Sequence, residues 1–197
     1  MKLKDKPHWL LIEEYKQASK MKLEVDQNNE TIIIELFGEI SNIPAIKNRK
    51  QIIYNHKTKK RIPVISKSAI CKLYAMDKLY QEQLAEKNIK SLNFKSHPIF
   101  VYLICGNRNR DFDPINCMET VCDWLEPSNK KHGGKERGWG IGITEDDKHI
   151  TSLALHSWQT ENQVDHSTIV IKTWRSVKQD CFTFINSFLK GIENDKN

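Results

Sequence analysis

No segment of the 197-residue chain approaches the roughly 18 consecutive apolar residues that a membrane-crossing helix needs, and the first residues hold no apolar run followed by a cleavage site. No membrane partner is expected, and the protein is expected to be soluble and cytoplasmic. Cysteine pairing is also missing. The five cysteines, Cys71, Cys105, Cys117, Cys122 and Cys181, form no Cys-x-x-Cys, and their odd number leaves at least one thiol outside any disulfide scheme. A reducing compartment fits that usage. The step from Cys117 to Cys122 lacks the second pair that a structural zinc site requires. Internal repeats are absent, which excludes a solenoid. Residues 47–67 lack any Asp or Glu while holding eight Lys or Arg.

What is present suits one well-packed domain with extensions. Lys plus Arg number 31 against 25 Asp plus Glu, a net charge of +6, which favours anionic partners such as nucleic acid. The excess is modest, so the basic block at 47–67 matters more than the total.

Hydrophobic periodicity gives strands and helices along one chain, an α+β reading with helical extensions at both ends. A short helix is expected over 8–19 from Trp9, Leu10, Ile12 and Tyr15. The β-branched run 31–37 reads as a strand stopped by Gly38. Residues 51–54 and 62–65 read as two short strands around a basic turn. Ser66 suits the cap of a helix from 67 to about 87, where Leu73, Met76, Leu79, Tyr80 and Leu84 recur at helical spacing. Residues 97–105 form a buried strand by composition, ended by Gly106. Residues 126–140, glycine-rich and charged, are expected to be a mobile loop. Strands follow at 150–158 and 167–174, and an apolar-periodic helix through Val177, Cys181, Phe184, Ile185 and Phe188 closes the chain.

Asp111 and Asp113 stand two positions apart, ahead of Pro114. In an extended segment their side chains share a face, and the two carboxylates repel unless something positive lies between them. Asp113 suits an N-cap and Pro114 the first helical position, where the missing N–H has no intrahelical partner. On that helix Met118, Val121, Cys122 and Leu125 make an apolar stripe, while Asn116, Glu119 and Asp123 fall at i, i+3 and i+7 on another face. Glu145, Asp146 and Asp147 then precede a strand, where a sheet can return them to the first pair. Carboxylate clusters of this kind suit hard divalent cations, above all Mg²⁺. Taken singly, each piece also has a plain structural use: turn and capping chemistry for the acids, a solubilising hairpin for the basic block.

The order of these pieces resembles the RusA family of Holliday-junction resolvases, common in phages and prophages. The matching residues are Pro44 with Lys47 and Asn48, then IPVISKSA at 62–69, RDFDPIN at 110–116, Cys122-Asp123-Trp124-Leu125, and Glu145-Asp146-Asp147-Lys148-His149-Ile150. The resemblance covers about residues 31–174. It implies an α+β fold with a small mixed β-sheet packed with helices, and a RusA-like nuclease domain at 31–175 between an N-terminal extension (1–30) and a C-terminal helix (176–197). It also implies a homodimeric, Mg²⁺-dependent endodeoxyribonuclease, with Mn²⁺ as a possible substitute, acting on branched DNA in a bacterial or phage-infected cell.

Carried over residue by residue, the resemblance assigns Asp111, Asp113 and Asp147 as catalytic metal ligands. Asp146 and Glu119 are further metal candidates, and Asn116 and Asp123 are supporting residues. Lys47, Asn48, Arg49, Lys50, Lys59, Lys60, Arg61 and Lys67 would grip the DNA backbone, and Arg108 and Arg110 flank the acidic pair. The sequence departs from the family at two points. Pro114 and Ile115 separate the second aspartate from its Asn, and Glu119 stands where the family often has a lysine. Either Glu119 is a further ligand while Lys47, Lys148 or Lys172 supplies the cation, or the chain is a catalytically impaired DNA-binding or regulatory protein. A third reading is a protein-interaction module with the acidic cluster on its surface. Trp139 is the one serious candidate among the tryptophans for stacking on exposed bases; Trp124, Trp158 and Trp174 are expected in the core.

Overall fold

The computed structural model describes residues 6–46, 50–55, 59–94, 97–107, 114–132, 135–159 and 166–180. The chain starts with α1 (His8–Gln17), β1 (Ser19–Asp26) and β2 (Thr31–Gly38), continues through β3 (Lys50–Asn55), β4 (Lys60–Ile65) and α2 (Lys67–Glu86), and reaches β5 (Ile99–Asn107) and α3 (Pro114–Leu125). The short strands β6 (Lys131–His132) and β7 (Lys135–Glu136) precede a 3-10 turn at Asp147–His149, then β8 (Ile150–Gln159) and β9 (His166–Thr173). Residues 174–180 are helical. The architecture is α+β: a mixed sheet in the order β1-β2-β9-β5-β8, with β3–β4 and β6–β7 as separate hairpins.

Alternation decides which face of the sheet is covered. Ile32, Ile34 and Leu36 of β2, Ile169 and Ile171 of β9, and Val101, Leu103 and Cys105 of β5 are buried in one cluster with Leu73, Met76, Tyr80 and Leu84 of α2 and Met118, Val121, Trp124 and Leu125 of α3. The register puts Ile34 opposite Ile169 and Ile169 opposite Leu103, so one row of the sheet meets the helices. α2 starts where Ser66 Oγ accepts the Ala69 N–H at 3.2 Å, the expected cap. Gly38 closes β2 at φ +72, a conformation L side chains rarely adopt, with the Ala18 carbonyl where a Cβ would stand.

Two parts differ from the sequence reading. Residues 19–26 were expected within an N-terminal extension; they form β1, paired with β2 along its whole length from Ser19–Gly38 to Asp26–Thr31. The expected mobile loop is anchored in its described residues. Trp139 is 4% exposed, Gly140 N–H donates to Asp77 at 3.0 Å, and Arg137 lies over the Trp139 ring at 4.7 Å. No helix among the described residues is long and apolar enough to cross a membrane.

The β5–β8 pair is parallel, with Ile99 opposite Ile150 and Asn107 opposite Gln159. Parallel neighbours need a crossover, so α3 runs from the far end of β5 back toward the start of β8. Over its 12 residues it spans about 18 Å. That return places the carboxyl end of α3 beside Asp146 and Asp147.

Candidate functional site

A cavity of about 530 Å³ opens between α3 and the start of β8, lined by Glu119, Cys122, Asp123, Asp147, Lys148, Ile150 and Leu153. The helical period puts Glu119, Cys122 and Asp123 on this side while Cys117, Met118, Val121, Trp124 and Leu125 are buried in the core. Cys122 packs against the core at the edge of the expected apolar stripe and also lines the cavity. Glu119 stands midway along α3, about 7.5 Å of axial rise from Pro114.

Below the cavity, Glu126, Asp146 and Asp147 bring carboxylate oxygens within 4.8 Å of one another. They do not share one role. Glu126 is buried at 2% side-chain exposure, with Arg137 Nη2 at 2.6 Å and Lys130 as ion-pair partners. Its Oε1 also accepts the Asp147 backbone N–H at 2.7 Å. Glu126 is thus a neutralised anchor that fixes the turn carrying Asp146 and Asp147. Arg137 reaches on to Asp123 at 3.2 Å, and Lys130 to Asp146 at 3.5 Å. Asp146 caps the 3-10 turn by accepting the Lys148 N–H at 3.2 Å.

Adjacent carboxylates divide their protons unequally. The Lys148 backbone N–H, a hydrogen bond from Asp147, and the charges of Lys130 and Lys148 hold Asp146 down at about 2. Burial raises the Asp147 carboxyl, and the hydrogen bond to Asp146 and the Glu126 charge push it the same way. Burial also pushes the Cys122 thiol up to about 12, with Asp123, Asp147 and Glu119 adding negative potential. A thiol held protonated is a poor metal ligand or nucleophile; the carboxylates are the groups with chemistry to offer.

The expected site residues separate clearly. Glu119, Asp123 and Asp147 come together around the cavity, and Asp146 lies beside Asp147. Asn116 is half-buried on α3, nearer its start. Asp111, Asp113, Arg108, Arg110, Lys47, Asn48 and Arg49 lie outside the described residues. Lys50, Lys60 and Arg61 fall on the β3–β4 hairpin, Lys59 is exposed at its turn, and Lys67 Nζ donates to the Lys6 carbonyl at the start of α2. Of the cations considered for the position opposite Glu119, Lys148 lines the cavity, with its side chain 70% exposed. Lys172 instead pairs with Asp180 at 2.5 Å. Sequence reasoning missed Glu126, Lys130 and Arg137. The i, i+4 spacing of Glu126 and Lys130 was the one local signal.

Fold and site together define an α+β chain with a carboxylate-lined cavity between a crossover helix and an edge strand. Comparison with protein-family models, with curated proteins and with solved structures gives no match.

Proposed function

We propose that the chain is a divalent-metal-dependent endodeoxyribonuclease that resolves Holliday junctions and related branched DNA by paired phosphodiester hydrolysis, as a RusA-like homodimer. One observation carries the reading: Glu119 and Asp123 from α3 and Asp147 from the turn before β8, remote in sequence, face the same cavity. An all-oxygen, carboxylate-rich donor set suits Mg²⁺ or Mn²⁺. On this reading Asp147 and Glu119 hold the ion, with Asp146 beside them, and Asp111 and Asp113 complete the catalytic acids from the segment before Pro114.

Bound there, Mg²⁺ supplies a water of lowered pKa and a counter-charge for the phosphate. The chain does the rest. Glu126 holds the Asp147 main chain through the 2.7 Å hydrogen bond, so the turn carrying that carboxylate is positioned before any ligand arrives. Lys148, at the cavity rim, supplies the positive charge that Glu119 removes from the family's lysine position. Asn116 and Asp123 support the α3 face, and Arg108, Arg110 and the basic residues from Lys47 to Lys67 bind phosphates irrespective of sequence. A two-fold symmetric junction suits a two-fold symmetric dimer.

The position of Glu119 also favours a second reading, a RusA-like protein that binds branched DNA without cutting it. A synthetic four-way junction, incubated with wild type, Asp147→Asn and Asp113→Asn with and without Mg²⁺, separates the two. The expected result is paired symmetric nicks for wild type with metal, and bound but uncut junction for both variants. Cleavage by Asp147→Asn at the wild-type rate overturns the site, and junction binding with no product in Mg²⁺ or Mn²⁺ leaves the second reading standing.

A further inference from the structure

We infer that the outer face of the sheet, away from the helix layer and the acidic cavity, is covered by the chain's own C-terminal segment, residues 181–197, through the apolar stripe of Cys181, Phe184, Ile185 and Phe188. The inference is independent of the proposed function. Side chains alternate between the two faces of a strand, so the residues between the core-facing ones of β2, β9 and β5 stand on the other side. They are apolar too. Ile33 lies opposite Val170 and Val170 opposite Tyr102, with Phe100 and Ile104 on either side of Tyr102 along β5. All five are half-buried, and none belongs to the core cluster. A sheet that is apolar on both faces takes a layer on each, because a large apolar patch left to water is an association site.

The chain delivers that second layer itself. After β9 it leaves the core: Trp174, expected to be buried there, is 46% exposed, and the helical residues 174–180 bring Asp180 Oδ2 within 2.5 Å of Lys172 Nζ. Lys172 alternates with buried Ile171 and Thr173, so it marks the outer face. A cavity of about 390 Å³ has Ile33, Lys172 and Asp180 in its wall. Asp180 thus stands over the outer face, and residues 181–197 start from there. They lie outside the described residues, and their sequence supplies the fit. Cys181, Phe184, Ile185 and Phe188 fall at i, i+3, i+4 and i+7, and half-buried Val177 precedes them at i−4. At helical rise the stripe extends about 11 Å, and the distance from β2 to β5 is two strand spacings, about 10 Å. A tethered segment meets the face at an effective concentration on the order of millimolar, which favours it over a second copy of the chain.

The test places the photo-cross-linker p-benzoylphenylalanine at position 184 of the full chain, mixes isotopically light and heavy protein, and maps the products by mass spectrometry. Cross-links within a single chain, to peptides carrying Ile33, Val170 or Tyr102, are the expected result. Products joining a light to a heavy chain put a second copy on the face and overturn the inference, as do cross-links that miss all three strands. Urea unfolding gives an independent reading. Phe184→Asp is expected to lower the midpoint by about 1 M, and Asn186→Asp, off the apolar stripe, to leave it in place. An unchanged midpoint in Phe184→Asp, or an equal loss in Asn186→Asp, also overturns the inference. Neither readout involves DNA or metal, so the cover and the nuclease reading stand or fall separately.

Discussion

Asp77 is a carboxylate taken out of water with three compensations that fall short. Trp124 Nε1–H donates to it at 2.6 Å and Gly140 N–H at 3.0 Å, with the Arg137 charge nearby, yet burial wins and pushes its carboxyl up to about 6. The folded chain therefore holds a proton on Asp77 more tightly than the unfolded chain does. Between about pH 4 and 6 stability falls as pH rises, by up to about 3 kcal/mol across the window. Urea unfolding at pH 4.5 and 7.5 checks this: wild type loses stability at the higher pH, and Asp77→Asn, which does not ionise, shows a much smaller difference. Arg137 presents the converse case. Its removal leaves buried Glu126 with the Lys130 charge and the Asp147 N–H, and Arg137→Ala is expected to cost on the order of 3 kcal/mol in the same assay.

The strands legible in the sequence were those whose composition matches their burial. β2, β5 and β9 are rich in Ile, Val and Leu because the helix layer covers one of their faces, and a two-residue period survives in each. β1 was missed for a physical reason. As an edge strand it alternates buried Met21 and Leu23 with exposed Lys20, Lys22 and Glu24, and those charges hide a strand while guarding its edge. The described residues of 126–140 were misread as mobile because Gly and Lys dominate the segment locally, whereas one of its anchors, Asp77 on α2, lies far away in sequence. Gly140 shows the constraint: at φ +128 a Cβ would stand 2.3 Å from the Glu126 carbonyl oxygen. Gly140→Ala is expected to destabilise by about 2 kcal/mol or more, read as a lowered urea midpoint, and to loosen the turn that holds Asp147.

For the molecule as an electrostatic object, charge placement matters more than the net value of +6. The cavity gathers carboxylates, while the β3–β4 hairpin carries Lys50, Lys59, Lys60 and Arg61 with no acid. If that hairpin contacts phosphates, junction affinity falls steeply with salt, and Lys59→Ala lowers the salt slope by about 1; an unchanged slope removes Lys59 from the interface. The candidate site was half legible. Asp146, Asp147, Glu119 and Asp123 announce themselves as acids at a strand start and on one helix face, but nothing local shows that a crossover helix brings them to one cavity, or that Glu126 and Arg137 brace it. The account stands on Asp147 and Glu119 sharing a divalent ion, and calorimetric titration of the protein with Mn²⁺ tests that most directly. Saturable binding by wild type that weakens at least about tenfold in both Asp147→Asn and Glu119→Gln is the predicted result; absent binding, or binding untouched by either substitution, contradicts it.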